Sequence, residues 1–431
     1  MRKIPFHRRI LPWLFVLIFI FMAPALVFYT AGYRWNSKKG VVERNGTMIF
    51  DSMPRAAGIY LNDQKINEQT PATLQNVAPG NYSIKYSLDG YHDWQKNLSV
   101  EPERVTFANT VHLWQKTDPQ LIADAETDFT ISNPNQDYII YQFNKDDASY
   151  IGLLNSKSTV IDTIKLEEKL DPVYYDWSAD GEKVFLISQT DGTRTKWLIQ
   201  TSPLQVVGLN GGNYHWERSQ LMGYGENDII NIASGGAVSR KPNPDRIHDQ
   251  INNNLLKYIE NGSKLILQTG SASEEGIVLP SGNWQFRYDD NNEILLQDDN
   301  RWLRISLTGE AYSSIRANGQ FLSKIEIKRE IYYLLLNYNE LFYWEPANEP
   351  ELLYRQSEPI IAAGWHPDGM DVFMATQNEI FMIELDERNG RHITKLAEFD
   401  SIYGAAIADD EIIISGIRGN ESGLWSLRIT E

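Results

Sequence analysis

The sequence predicts an all-β chain behind one N-terminal membrane-spanning helix, and three observations predict it. The run from Ile10 to Tyr29 carries no charge. Aromatic residues make up 12% of the chain, with 12 Trp and 22 Tyr, a content that suits half-buried pleated strands. Short runs of alternating apolar and polar residues, separated by Pro-Gly, Asp-Gly and Asn-Asp dipeptides, recur from residue 46 onward. At 431 residues, two or three domains are expected behind the helix.

Residues 1–9 read as a basic cytoplasmic tail with Arg2, Lys3, Arg8 and Arg9, and residues 10–31 as a signal-anchor helix. At about 1.5 Å per residue the apolar run covers the roughly 30 Å hydrocarbon core of a bilayer. Pro12 falls in the first turn and Pro24 deeper. Trp13, Tyr29, Tyr33 and Trp35 bracket the run as an interfacial belt would. A cleaved signal peptide is the competing reading, because Ala23-Pro24-Ala25 resembles a small-residue cleavage site. Cutting there would leave Leu26, Val27, Phe28 and Tyr29 exposed, which favours the uncleaved anchor. Arg34, Lys38, Lys39 and Arg44 in the linker 32–45 nearly balance the basic residues before the helix. Orientation therefore rests on the short basic tail, the early apolar run and the large acidic portion behind it. Together these predict a single-pass protein of the cytoplasmic membrane, N-terminus in, with the C-terminal bulk outside.

The formal net charge is −17, and the four positive charges of the first nine residues leave −21 for the remainder. A surface that acidic repels phosphates and argues against nucleic-acid binding. There is no cysteine, which removes disulfides, thiolate zinc sites and thiol catalysis.

Residues 46–116 contain the runs TMIFDSMP, GIYLND, YSIKYSLDGY and KNLSVEPE, which predict a small β-sandwich. Ser52-Met53-Pro54, Ala57, Ile59 to Asp63, Thr70 to Leu74, Pro79-Gly80-Asn81-Tyr82 and Asp89-Gly90-Tyr91 follow in an order that resembles the PEGA domain. That family is a small β-module of prokaryotic surface and envelope proteins. The departure is at the eponymous tetrapeptide, where this chain has Pro54-Arg55-Ala56-Ala57. Pro79-Gly80 and Asp89-Gly90 are expected to form turns with φ > 0 at the glycine. Tyr82, Tyr91 and Trp94 pack on the sheet or, alternatively, form an exposed ligand platform for a glycan.

Residues 117–431 repeat a pattern of an aromatic, a short turn with Asp-Gly, and an apolar strand. It is clearest at Trp177 to Leu186 and at Trp365 to Met374. Weaker copies begin near Ile131, Trp216, Trp284, Ile325 and Tyr403, and the spacing of about 40 residues is that of a four-stranded propeller blade. A later element recurs at Trp197, Trp302, Phe342, Phe381 and Trp425 and reads as each blade's third strand. The repeats resemble the WD-like and Tol-type β-propellers of bacterial envelopes, without the Trp-Asp and Gly-His signatures of WD repeats. Seven blades are expected, with an insertion near 226–260 whose stretch Pro242–Ile259 reads as a polar loop plus a short helix. Eight blades are the alternative.

Chemical motifs are sparse. The seven histidines (His7, His92, His112, His215, His248, His366, His392) show no metal-ligand spacing, and no nucleophile elbow, Walker loop or dinucleotide fingerprint occurs. Asp146-Asp147, Asp289-Asp290, Asp298-Asp299 and Asp409-Asp410 match no calcium loop and read as charged hairpin tips. No catalytic residue, cofactor or metal is expected. The composition and the resemblances imply an envelope binding or scaffold protein whose partner is another protein or a cell-wall glycan. The alternative is a propeller-type hydrolase or lyase acting on glycans, which requires facing carboxylates in the central channel.

Overall fold

The apolar run and the residues before it form a helix, Phe6–Thr30, the arrangement that satisfies most backbone groups of an apolar segment internally. Its stretch Trp13–Thr30 has a mean hydropathy of 2.3, none of it is buried against protein, and it is long and apolar enough to cross a membrane. The structure, a computed structural model, describes residues 6–430 apart from 31–32, 37–40, 134–135, 156, 179, 211, 218, 233–237, 252–253, 260–263, 269–275, 283, 290–292, 299–300, 307–311, 316–319, 328–329, 346–347 and 409. It divides into two compact units, Met1–Lys116 with Asp386–Thr394, and Thr117–Leu385 with Lys395–Glu431.

In the first unit the expected linker holds a two-stranded hairpin, Tyr33–Asn36 with Val41–Arg44. The sandwich follows. One sheet has Gly46–Met53 at its centre, antiparallel to Ala72–Val77 and parallel to Val105–His112. The other has the order Gln64–Gln69, Gly58–Leu61, Gly80–Ser87, Trp94–Val100. Strict alternation along Gly46–Met53 and Trp94–Val100 sends Met48, Phe50, Trp94, Leu98 and Val100 inward, where they meet Ile59, Ile84 and Tyr86. The same alternation buries Lys96, whose Nζ is neutralised by Asp386 at 3.3 Å. Gly90 takes the expected left-handed conformation at φ 82°, but Gly80 does not and simply begins its strand.

The turn at Pro54-Arg55-Ala56-Ala57 is pinned by Thr70, whose carbonyl accepts from Ala56 N and whose hydroxyl accepts from Ala57 N. Ala56, at the position of the glycine in the PEGA tetrapeptide, has φ 68°. An L side chain there costs about 1 kcal/mol. Ala56→Gly is therefore expected to raise the stability of this unit by up to about 1 kcal/mol, read as a higher urea midpoint at unchanged slope.

The described residues of the second unit form eight four-stranded antiparallel sheets: 126–165, 172–209, 213–242, 247–278, 285–315, 320–355, 360–398, and 401–428 with 120–124. In the eighth, the outer strand comes from the other end of the chain, since Gln120–Asp124 pairs with Glu421–Arg428 and closes the succession. This is the β-propeller arrangement. Apolar faces of neighbouring sheets pack together to make the core. Ile140 and Leu153 meet Val184 and Leu186, and Leu295 and Trp302 meet Tyr333 and Trp344. Ile139 and Leu154 meet Ile413 and Leu424 across the closure.

The expected insertion near 226–260 is corrected. Asp228–Ile232 and Val238–Pro242 complete the third sheet, and Ile247–Ile251 and Asn254–Ile259 open the fourth, so the described residues there form strands and no helix. The eight sheets of the described residues match the alternative count. The physical reason is compression. The third sheet is built from strands of 5 residues, against 8 in Tyr138–Lys145 or Glu411–Arg418. Asp180-Gly181 and Asp368-Gly369 form the tight turns expected of them, with glycine φ of 69° and 72°.

Candidate functional site

The first strand of each sheet is the one that meets its counterparts in neighbouring sheets: Glu126–Ser132 lies against Ser401–Ala408, and Ile247–Ile251 lies between Asn213–Glu217 and Gln285–Asp289. These inner strands line the centre of a propeller. Their pairing with the second strand slips by one residue near the start of the strand in seven of the eight sheets. The slips fall at Asp128, Val173, His248, Arg287, Leu322, Ile361 and Tyr403. A bulge leaves one residue out of the ladder and re-aims its side chain, a device found at rims and binding sites. Because the slip recurs at the start of each strand, it gathers these residues at one end of the inner ring. Tyr403 is 45% exposed there.

Two polar members of this set, Asp128 and His248, are held by neighbours. Asp128 accepts hydrogen bonds from Gln142 at 3.0 Å, Asn144 at 2.9 Å and Lys169 at 2.6 Å. His248 lies beside the Asn213 amide at 2.8 Å. The next residue, Asp249, is 1% exposed and ties three inner strands together. One of its oxygens meets His215 Nδ1 and accepts from the Gln250 N–H, and the other accepts from Phe286 N–H at 2.8 Å. His215 in turn stacks on Tyr224 with ring centroids 5.3 Å apart.

Burial pushes the His248 imidazole below its ordinary value of about 6.5. A group whose folded pKa is depressed takes up its proton first in the unfolded chain, so the stability it supplies is complete above about pH 6.5 and is lost as pH falls below it. The second unit is therefore expected to lose thermal stability as pH falls from about 6.5 to 5.5. His248→Gln should flatten that part of the pH profile.

The three aromatics predicted in the small unit do not form an outward platform. Trp94 is 3% and Tyr91 5% exposed, both inside the core, and Trp94 stacks on Tyr86 at 5.0 Å. Tyr82 packs against that core from its edge and donates its hydroxyl proton to the Ala78 carbonyl at 2.8 Å. The packing role of Trp94 follows from inward alternation in the strand Trp94–Val100. Of the acidic pairs, Asp146 and Asp147 do occupy a hairpin tip, both with positive φ. Asp298 is buried and ion-paired with Arg301, and Asp410 accepts from the Thr430 hydroxyl. Asp290, Asp299 and Asp409 lie outside the described residues, as does the structure around His7's side chain.

A second feature lies between the second and third sheets. There a crevice of about 130 Å³ is lined by Leu198, Val207, Ile230, Val238 and Arg240, with Tyr214 of the inner strand at its base.

Residues 45–115 match the PEGA domain. No curated protein matches the chain. Among solved structures, the chain is similar to a chain of the mitotic checkpoint complex at 11% identity, covering 74% of this chain and 93% of that one, with a TM-score of 0.39. It is similar to Kuenenia stuttgartiensis hydrazine synthase at 7% identity, 73% and 97% coverage and a TM-score of 0.38. It is also similar to the Swd1 β-propeller domain of Myceliophteria thermophila at 11% identity, 73% and 99% coverage and a TM-score of 0.40.

Proposed function

We propose that the chain is a membrane-anchored, extracytoplasmic binding or scaffold protein of a prokaryotic cell envelope. The helix Phe6–Thr30 fixes it in the cytoplasmic membrane with the N-terminus inside, and the sheet ring binds an envelope protein or a cell-wall glycan. The observation that carries this reading is the PEGA module placed directly behind a wholly unburied apolar helix. The ring acts by binding and not by catalysis in this reading. Asp128 and Asp249, two inner-strand carboxylates, are each engaged by several protein donors and left with little capacity to move a proton. The bulged end of the inner ring, with Tyr403 exposed, is the binding surface, since a rigid aromatic with an open face is a common anchor for both partner classes.

The test is co-sedimentation of the full chain with purified cell-wall glycan, and crosslinking to envelope proteins in intact cells, each compared with Tyr403→Ala. Retention of one partner class by the wild type, weakened in the variant, is expected. Shortening of the glycan during incubation, with new reducing or unsaturated ends, would replace this reading by the hydrolase or lyase alternative.

A further inference from the structure

Charge is distributed unevenly along the chain. Residues 31–45 carry Arg34, Lys38, Lys39 and Arg44 against Glu43, a net +3, so the residues beyond them stand at −24. A chain of contacts carries the described part of that positive segment from the end of the helix to one end of the sandwich. The Phe28 ring lies 5.2 Å from Tyr33. Tyr33 pairs with Arg44, whose guanidinium sits 4.6 Å over its ring. Arg44 is ion-paired with Glu103 at 2.7 Å, and Thr47 N–H donates to the Arg104 carbonyl at 3.0 Å. The end of the sandwich nearest the helix is therefore the one where Gly46–Met53 and Val105–His112 both begin.

At that end two apolar side chains point away from the core. Val105 is 45% and Phe107 44% exposed, two residues apart on the outer strand of the three-stranded sheet, so both lie on one face. Arg104, with 74% of its side chain exposed and its guanidinium 2.6 Å from the Glu101 carboxylate, precedes them, so it must exchange that exposed partner for a lipid phosphate. Exposed apolar residues flanked by cations and an aromatic hairpin are what an interfacial surface requires. The apolar groups enter the headgroup boundary, and the cations reach anionic phosphates.

We infer that this end of the small unit, comprising Tyr33, Arg44, Arg104, Val105 and Phe107, seats on an anionic lipid surface and braces the domain against the bilayer. The inference rests on the reading of Phe6–Thr30 as an anchor. It commits to lipid because the same unit holds the helix end and because the positive charge of an otherwise acidic chain is concentrated beside it.

The absence of cysteine allows a single reporter. The full chain carrying Phe107→Cys, labelled with an environment-sensitive fluorophore, is reconstituted in nanodiscs of phosphatidylcholine alone or with phosphatidylglycerol. Val105→Cys serves as a second reporter position, and Asp89→Cys, in the turn near the far end of the strands, as the aqueous control. The expected result is a blue-shifted emission protected from iodide at 107 and 105 in the phosphatidylglycerol discs. In phosphatidylcholine discs, and at 89 in both, the label is quenched. Arg44→Glu with Arg104→Glu should abolish the protection. Quenching at 107 and 105 in both discs overturns the inference while the anchor stands. Protection in both discs overturns its electrostatic part. Failure of the unlabelled chain to co-purify with discs at all is the separate result that removes the anchor.

Discussion

Removing residues 421–431 is expected to abolish the cooperative unfolding of the second unit. The strand Glu421–Arg428 is paired on one side with Glu411–Arg418 and on the other with Gln120–Asp124, which has no other partner strand in the sheet. Its deletion exposes the contacts of Leu424, Trp425 and Leu427, which are 0%, 4% and 1% exposed. At roughly 2 kcal/mol per large apolar side chain the loss is on the order of 6 kcal/mol, comparable with the whole stability of many domains. It also opens an edge on each of two strands, a template for aggregation. Hydrogen exchange should show amides of Gln120–Asp124 and Glu411–Arg418 losing protection. A truncated chain that keeps a single sharp transition at the original midpoint would show that the closure contributes little.

Asp249→Ala is expected to destabilise the second unit by about 3–5 kcal/mol. The carboxylate accepts from Gln250 N–H and Phe286 N–H and lies against the buried His215 ring, groups that belong to three successive inner strands. Removing it leaves buried donors unpaired, and that is where most of the cost of such substitutions arises. Asp249→Asn should cost less, because an amide oxygen still accepts one of the donors while its NH2 group opposes another. Urea unfolding of the two variants orders them as Ala below Asn below wild type. Equal stabilities for all three would contradict the role given to this residue.

The apolar N-terminal helix, the small sandwich and the repeated sheets were legible because each depends on local pattern: an uncharged apolar run, strict alternation, and Asp-Gly turns before apolar strands. The third-strand elements at Trp197, Trp302, Phe342, Phe381 and Trp425 all fall in the third strand of their sheets, counted from the inner one. The stretch 226–260 was not legible. Its strands are short, and the polar run IHDQINNNLL hides the alternation, so a helical spacing competes with a strand that only packing against neighbouring sheets selects. The same misreading concealed the site. His248 and Asp249 looked like part of a polar loop, and their partners His215 and Phe286 lie 34 and 37 residues from Asp249 in the chain. A buried His-Asp pair across strands leaves no signature in spacing. The inner-strand bulges were equally silent, because a slip in register is set by how two strands pair and not by residue type. In the small unit the glycine at 80 misled, since a Pro-Gly dipeptide also occurs at the start of a strand.

The central claim is that the sheet ring is displayed outside the cytoplasmic membrane by a retained N-terminal anchor. Asn420, in an exposed turn between two strands of the eighth sheet, offers the most direct test, because Asn420→Cys is the only thiol the chain then contains. A membrane-impermeant maleimide applied to intact cells is predicted to label the full-length protein in the membrane fraction. Labelling that appears only after the cells are opened would place the ring in the cytoplasm and contradict the account.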